Sequence, residues 1–129
     1  MPFNKIHVPR SLAVETGRAI NDLLHASLVE TCGSHPDDYF CLISRYSADD
    51  MILHPTFLGD RDPSSTIIIE IALLAGRSDD QKEALYKDVR RRLRGIGFDP
   101  NNSIMFLIEN KPIDWSFSGA GSVKSVLGL

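Results

Sequence analysis

Apolar and polar positions alternate with two different periods along the 129-residue chain. Phe3 to Val8 alternates as a half-buried strand does, and Pro9, which has no N–H for a ladder, ends it. Ile20, Leu23, Leu24, Ser27, Leu28 and Thr31 then recur at helical spacing and predict one face of a helix. Gly33 is its expected stop, with Pro36 beyond. Phe40-Cys41-Leu42-Ile43 is a short continuous apolar run and predicts a buried strand. Ser47 to Ser65 is rich in Asp, Pro, Gly and Ser and reads as loop, with a short hairpin around Met51 to Leu53. Thr66 to Leu73 is β-branched and almost wholly apolar, as in a strand covered on both faces. Ser78-Asp79-Asp80-Gln81 is a capping box. The helix it opens carries Leu85, Val89, Leu93 and Ile96 on one face. Ser103 to Ile108 is the last strand.

The order strand, helix, strand, loop, strand, helix, strand fits two right-handed β-α-β units. The expected fold class is α/β (α+β): a four-stranded, mainly parallel sheet with two helices on one face. One domain, 1–129, is expected, built of two pseudo-repeated halves at about 2–65 and 66–129. Gly33 aligns with Gly97, and His35 to Ile43 aligns with Asp99 to Leu107, at a constant offset of 64. Two helices cover one face only. Ile67 to Leu73 and Ile104 to Ile108 are apolar at odd and even positions alike, so the second face also wants burial. A homo-oligomer closing sheet against sheet supplies that, unless the middle loop and C-terminal tail do.

Composition narrows the function classes. Apolar residues at 43% and charged residues at 24% are those of a globular domain. The net charge of −3 argues against wrapping nucleic acid or lying on an anionic membrane. Arg90-Arg91-Arg92-Leu93-Arg94 ends a helix, where cations complement the macrodipole. No apolar run approaches the ~20 residues of a membrane span. The N-terminus has no signal-peptide pattern, and Cys32 and Cys41 read as packing residues, so a reducing, cytoplasmic setting is expected. His7, His25, His35 and His54 lack metal-ligand spacing, and no glycine-rich phosphate loop is present; no metal and no cofactor are expected.

Three positions could carry chemistry. Pro2 follows the initiator, and removal of Met1 before a small residue would expose a secondary amine. Such a group ordinarily titrates near ~8, and apolar surroundings favour its neutral form. A rigid neutral base suits proton transfer at carbon beside a carbonyl. Arg77, after the buried strand and before the Ser78 cap, lies where parallel sheets bind ligands and can hold a carboxylate bidentately. The nearby helix N-terminus is expected to add a favourable field for anions. Asp38, before the second strand, is a turn aspartate or a group that orients water or a substrate hydroxyl. Trp115 and Phe117 in Ile113 to Gly119 could wall an apolar pocket around the amine or serve an interface.

Taken together, these residues resemble the tautomerase superfamily, in the branch around malonate semialdehyde decarboxylase. The resemblance runs from Pro2 through Asp38-Tyr39-Phe40 and His54-Pro55-Thr56-Phe57-Leu58-Gly59. It continues through Ala75-Gly76-Arg77-Ser78, Gln81-Lys82 and Leu85-Tyr86 to Asp114-Trp115-Ser116-Phe117. It implies a homotrimer with the amino-terminal proline in a pocket as general base or acid. It further implies Arg77 on a substrate carboxylate, Asp38 beside the proline, and Trp115 and Phe117 as the hydrophobic wall. The decarboxylase's second arginine is replaced here by Leu74, which suits a monocarboxylate. The histidine, tyrosine and glutamate that accompany the proline in cis-chloroacrylate dehalogenases have no counterparts.

The expected activity is therefore tautomerisation of a 2-oxo acid, for example an arylpyruvate, with Pro2, Arg77 and Asp38 catalytic and Arg77, Trp115 and Phe117 binding substrate. The alternatives are decarboxylation or hydration of a 3-oxo acid such as malonate semialdehyde, or a non-catalytic trimeric binding protein.

Overall fold

A computed structural model describes residues 1–129. Its elements are β1 (Phe3–Pro9), α1 (Val14–Cys32), β2 (Cys41–Tyr46), β3 (Ile67–Leu74), α2 (Asp79–Gly95), β4 (Ser103–Asn110) and a short α3 (Val123–Leu127). The sheet order is β2-β1-β3-β4. β1 runs parallel to β2 and β3 parallel to β4, while the central pair β1 and β3 is antiparallel. The expected four-stranded, mainly parallel sheet is present, with one antiparallel pair at its middle.

The core lies between the sheet and the two long helices. Ile6 and Val8 from β1, Ile67, Ile69 and Ile71 from β3, Leu24 and Leu28 from α1, and Leu85, Val89 and Leu93 from α2 are all fully buried. Each is an every-second residue of a strand or a three-to-four spaced residue of a helix, which is why one face of each element disappears. Truncating one of them removes transfer energy and leaves a cavity, a cost of about 2–5 kcal/mol. The Cys41 thiol belongs to the same packing, and burial pushes it up to about 11, away from thiolate chemistry.

Local signals explain the element ends. The Ser78 hydroxyl accepts from Gln81 N–H, and the Gln81 side chain takes the Ser78 N–H, completing the capping box. Gly33 ends α1 in the left-handed conformation at φ 68, which glycine adopts without a Cβ penalty.

Four details differ from the sequence reading. The run Phe40 to Ile43, expected as a buried strand, gives β2 only from Cys41, with Phe40 and Leu42 exposed because they face away from the helices. No hairpin forms around Met51 to Leu53; a 3-10 turn at Ala48–Asp50, closed by the Asp50 N–H on the Ser47 carbonyl and the Ser47 hydroxyl on the Asp50 carboxylate, leads into loop instead. Cys32, not Thr31, is the inward residue of the last turn of α1; the Thr31 hydroxyl turns back to the Ser27 carbonyl at 2.8 Å. Ile96 is 45% exposed because α2 ends at Gly95, before Ile96 completes the apolar stripe.

The second face of the sheet stays open. Leu42, Phe106 and Ile108, all on it, are 55%, 42% and 46% exposed, so neither the middle loop nor the tail covers them. The face is not uniformly apolar. His7 shares its Nδ1 with the Tyr46 hydroxyl at 2.6 Å and its Nε2 with Glu70, joining three strands in one polar chain. No helix is long and apolar enough to cross a membrane.

Candidate active site

Strand direction puts the candidate residues at one end of the sheet. β1 starts where its antiparallel neighbour β3 ends, β2 starts beside β1, and β4 ends beside β3. Pro2 stands one residue before the Phe3–Ala72 pair and is buried. Asp38 precedes β2, in a turn closed by its N–H to the His35 carbonyl at 3.0 Å. Arg77 follows β3, and Trp115 and Phe117 follow β4. The first strand's entry and the third strand's exit are thus neighbours, although some seventy residues separate them in sequence.

The Asp38 carboxylate lies 3.2 Å from the Met1 amine, with the two side chains 20% and 18% exposed. The start of the chain is therefore held against a carboxylate in a largely dry position. Arg77 donates from Nη1 to the Leu74 carbonyl at 3.0 Å and from Nε to the Cys32 carbonyl at 3.4 Å. The second acceptor is an end-of-helix carbonyl of α1, where the macrodipole favours a cation. Gly76 at φ 126 provides the turn that sends the side chain back toward the sheet edge. Two main-chain acceptors fix the guanidinium without engaging all five of its N–H donors. Cys32, Ala75, Gly76, Arg77 and Gln81 line a shallow recess of about 330 Å³ there.

The local field is less cationic than the sequence suggests. The Glu109 carboxyl is held below the usual carboxylate range, first by the Lys82 ammonium hydrogen-bonded to it and, more weakly, by the charge of Arg77; partial desolvation opposes them. The N-terminus of α2 is also spoken for. Its cap uses Ser78 and Gln81, and Asp79 and Asp80 stand in its first turn. The anion field expected from that helix end is offset by these acids, so Arg77 is the positive group left at the recess.

The aromatic wall is longer than Trp115 and Phe117. Trp115 stacks on Phe117 with centroids 5.5 Å apart and planes at 7°. Phe117 meets Phe40 at 5.2 Å, and Phe40 stacks on Phe3 at 6.2 Å and 10°. The row reaches the residue that follows Pro2. Sequence reading missed the roles of Phe3 and Phe40. The signal was there: each lies at a strand start, and both point to the face opposite the core by the register of β1 and β2. It also missed Asn110, whose side-chain oxygen accepts the indole N–H of Trp115. The basic run of α2 is structural: Arg91 and Arg92 pair with Asp88, Arg92 also with Glu30, and Arg90 with the Ser103 carbonyl.

A family model described as tautomerase enzyme matches residues 38–118, well over half of the chain. The chain belongs to the tautomerase family. A curated relative, the probable tautomerase YusQ of Bacillus subtilis (strain 168), is 28% identical over 118 residues, covering 91% of this tautomerase-family chain and 93% of YusQ. FG41 malonate semialdehyde decarboxylase, solved after inhibition by 3-bromopropiolate, is 31% identical with a TM-score of 0.87 over 98% of this chain and 95% of that one. A second malonate semialdehyde decarboxylase, described with decarboxylase and hydratase activities, is 27% identical with a TM-score of 0.85 over 98% of this chain and 97% of its own. A fused 4-OT symmetric trimer shares the fold at a TM-score of 0.78 and 17% identity, over 96% and 98% of the two chains.

Proposed function

We propose that this tautomerase-family protein interconverts enol and keto forms of a 2-oxo acid, with the amine of Pro2, freed by removal of Met1, as the proton carrier. The observation that supports this reading is that the chain start with its facing carboxylate, the loop that carries Arg77 and the row of aromatic rings all lie at the same end of the sheet.

The chemistry follows from those groups. Arg77 takes the substrate carboxylate with donors left over from its two carbonyl contacts. The enol C–O–H is then held toward the ring amine. Neutral Pro2 accepts the hydroxyl proton as the C2–O bond becomes a carbonyl, and the same proton goes to C3. Positioned proton transfer of this kind contributes about 10²–10⁴-fold. Pro2 is buried, and burial favours the uncharged amine. Asp38, which faces the Met1 amine in the unprocessed chain, is the carboxylate left beside the chain start to orient the Pro2 amine. The aromatic row and the single guanidinium suit an aryl monocarboxylate such as an arylpyruvate. The working form is a homotrimer, in which the open apolar face of the sheet is covered; the trimeric assembly of the fused 4-OT relative supports this. A cytoplasmic setting fits this reading.

A second reading keeps the pocket and changes the reaction. Asp38, 3.2 Å from the Met1 amine that precedes Pro2, and the 31% identity to a decarboxylase favour hydration or decarboxylation of a 3-oxo acid such as malonate semialdehyde. In that case protonated Pro2 polarises the carbonyl while Asp38 activates water or the departing carboxylate is lost as CO2. Assaying phenylenolpyruvate ketonisation beside malonate semialdehyde turnover separates them. Ketonisation with the higher kcat/KM supports the first reading. Turnover of malonate semialdehyde alone replaces it with the second.

A further inference from the structure

Trp115 stands on weak local scaffolding for a wall residue. It follows a 3-10 turn at Pro112–Asp114 and belongs to no helix or strand. Its main chain is tied by a carbonyl that accepts from Val123 N–H at 2.8 Å and by a long contact to Pro112. Those bonds fix the backbone and leave the indole free to turn about its side-chain torsions. One polar contact fixes the ring: the indole N–H to the Asn110 side-chain oxygen. An indole nitrogen only donates, so the amide oxygen must be the atom that faces it.

Asn110 is also the last residue of β4, paired with Leu74 at the end of β3. Its main-chain carbonyl accepts from Ala75 N–H at 2.9 Å, and the Leu74 carbonyl accepts from Arg77. A single rung of the sheet therefore holds the guanidinium on one side and the indole on the other. The carboxylate clamp and the indole are thus both tied to one rung, the clamp also to the Cys32 carbonyl at the end of α1.

We propose that Asn110 is a specificity-determining positioning residue: by fixing the indole of Trp115 at a set distance from Arg77, it selects 2-oxo acids that carry an aryl group over those that carry only a small alkyl group. The inference rests on the 2-oxo acid reading of the site and adds the residue that sets its substrate preference. Asn110 acts through Trp115. With the indole held parallel to Phe117, the two rings offer an ordered aromatic surface to an aromatic substituent; with the indole free, that surface is broken and alkyl substrates lose nothing specific.

The test compares wild type, Asn110→Leu and Asn110→Asp. Leucine keeps the volume and removes the acceptor; aspartate keeps an acceptor. Trp115 is the only tryptophan, so its fluorescence reports the ring directly. Asn110→Leu is expected to raise acrylamide quenching about twofold or more. It should lower the ratio of kcat/KM for phenylpyruvate to that for pyruvate about tenfold, mostly through KM for phenylpyruvate. Asn110→Asp is expected to restore both; its added charge weakens both carboxylates alike and cancels in the ratio. In a Trp115→Phe background, Asn110→Leu is expected to leave the ratio where Trp115→Phe alone puts it. Wild-type quenching in Asn110→Leu, an unchanged ratio, or full additivity with Trp115→Phe each overturns the inference. Where wild type turns over neither acid, the 2-oxo acid reading fails. The role of Asn110 is then decided by phenylpyruvate quenching of Trp115: saturable in wild type and about tenfold weaker in Asn110→Leu supports it, and equal quenching overturns it.

Discussion

The two ends of the sheet are built from the same kinds of side chain and use them in opposite ways. At the end away from Pro2, polar groups are consumed by the fold. The Asn102 oxygen accepts from Asp62 N–H at 2.8 Å, and Asp62 caps Ser64 and Ser65. The Thr66 hydroxyl bonds the Asp62 carbonyl at 2.7 Å, Arg45 donates to the Leu12 carbonyl at 3.0 Å, and Arg90 donates to the Ser103 carbonyl at 3.2 Å. These bonds are spent within the loops that join the elements. At the Pro2 end, Arg77 donates to two carbonyls, Asp38 faces the chain start, and four aromatic rings stand partly uncovered. The arginines of the two ends do not differ in how many bonds they make; what the Pro2 end adds is a carboxylate at the chain start and a partly uncovered aromatic row.

The comparison breaks most readily at the two arginines. Arg77→Ala is expected to lower kcat/KM for a 2-oxo acid about 100-fold or more, since each of two charged hydrogen bonds is worth ~1.5–3 kcal/mol. Arg45→Ala, at the far end, is expected to change kcat/KM less than twofold and to lower the denaturation midpoint. Equal activity losses in the two variants would erase the distinction between the ends.

The core shared by both ends gives the next effect. Ile69→Ala is expected to cost about 3–4 kcal/mol of unfolding free energy, within the range for a fully buried β-strand side chain. Chemical denaturation measures it. A loss below 1 kcal/mol would mean the sheet–helix interface is not as packed as described.

A smaller, pH-dependent effect sits on α2, away from either end. Burial works against the charged form of Asp88, yet hydrogen bonds from Arg92 and Arg91 win and hold its carboxyl down at about 2. A carboxyl lowered in the folded state stabilises above its unfolded value near ~3.9, and that contribution is lost as pH falls toward about 2. Asp88→Asn is expected to be less stable than wild type at pH 7 and to show a flatter decline of stability between pH 4 and pH 2. Parallel decline in the two proteins would contradict the ion-pair assignment. The smallest change is Ser78→Ala, expected to cost about 1 kcal/mol through loss of the cap at the start of α2, measured by thermal unfolding.

What could be read from the sequence was what is local or periodic. Ser78 and Gln81 declare their cap within four residues, and the alternating isoleucines of β3 declare a buried strand without help from any partner. The hairpin around Met51 to Leu53 did not form because Ser47 and Asp50 close a local turn just before it, a contact between side chain and backbone that periodicity does not register. Ile96 matched the spacing of Leu85, Val89 and Leu93 but lies past the point where the helix ends. At the site, Pro2, Asp38, Arg77, Trp115 and Phe117 were nameable as types suited to chemistry. Asn110 was not, because an asparagine at a strand end carries no signal until the register places it against Leu74 and the loop brings the indole back. The His7, Tyr46 and Glu70 chain was invisible for the same reason: it exists only through the pairing of β1 with both β2 and β3.

The central claim is that the amine of Pro2 moves the proton. The most direct measurement takes preparations in which the fraction of chains beginning at Pro2 is varied and read by intact mass, and plots phenylenolpyruvate ketonisation against that fraction. A line through the origin is expected. Turnover by chains that all retain Met1, at the rate of those that have lost it, would contradict it.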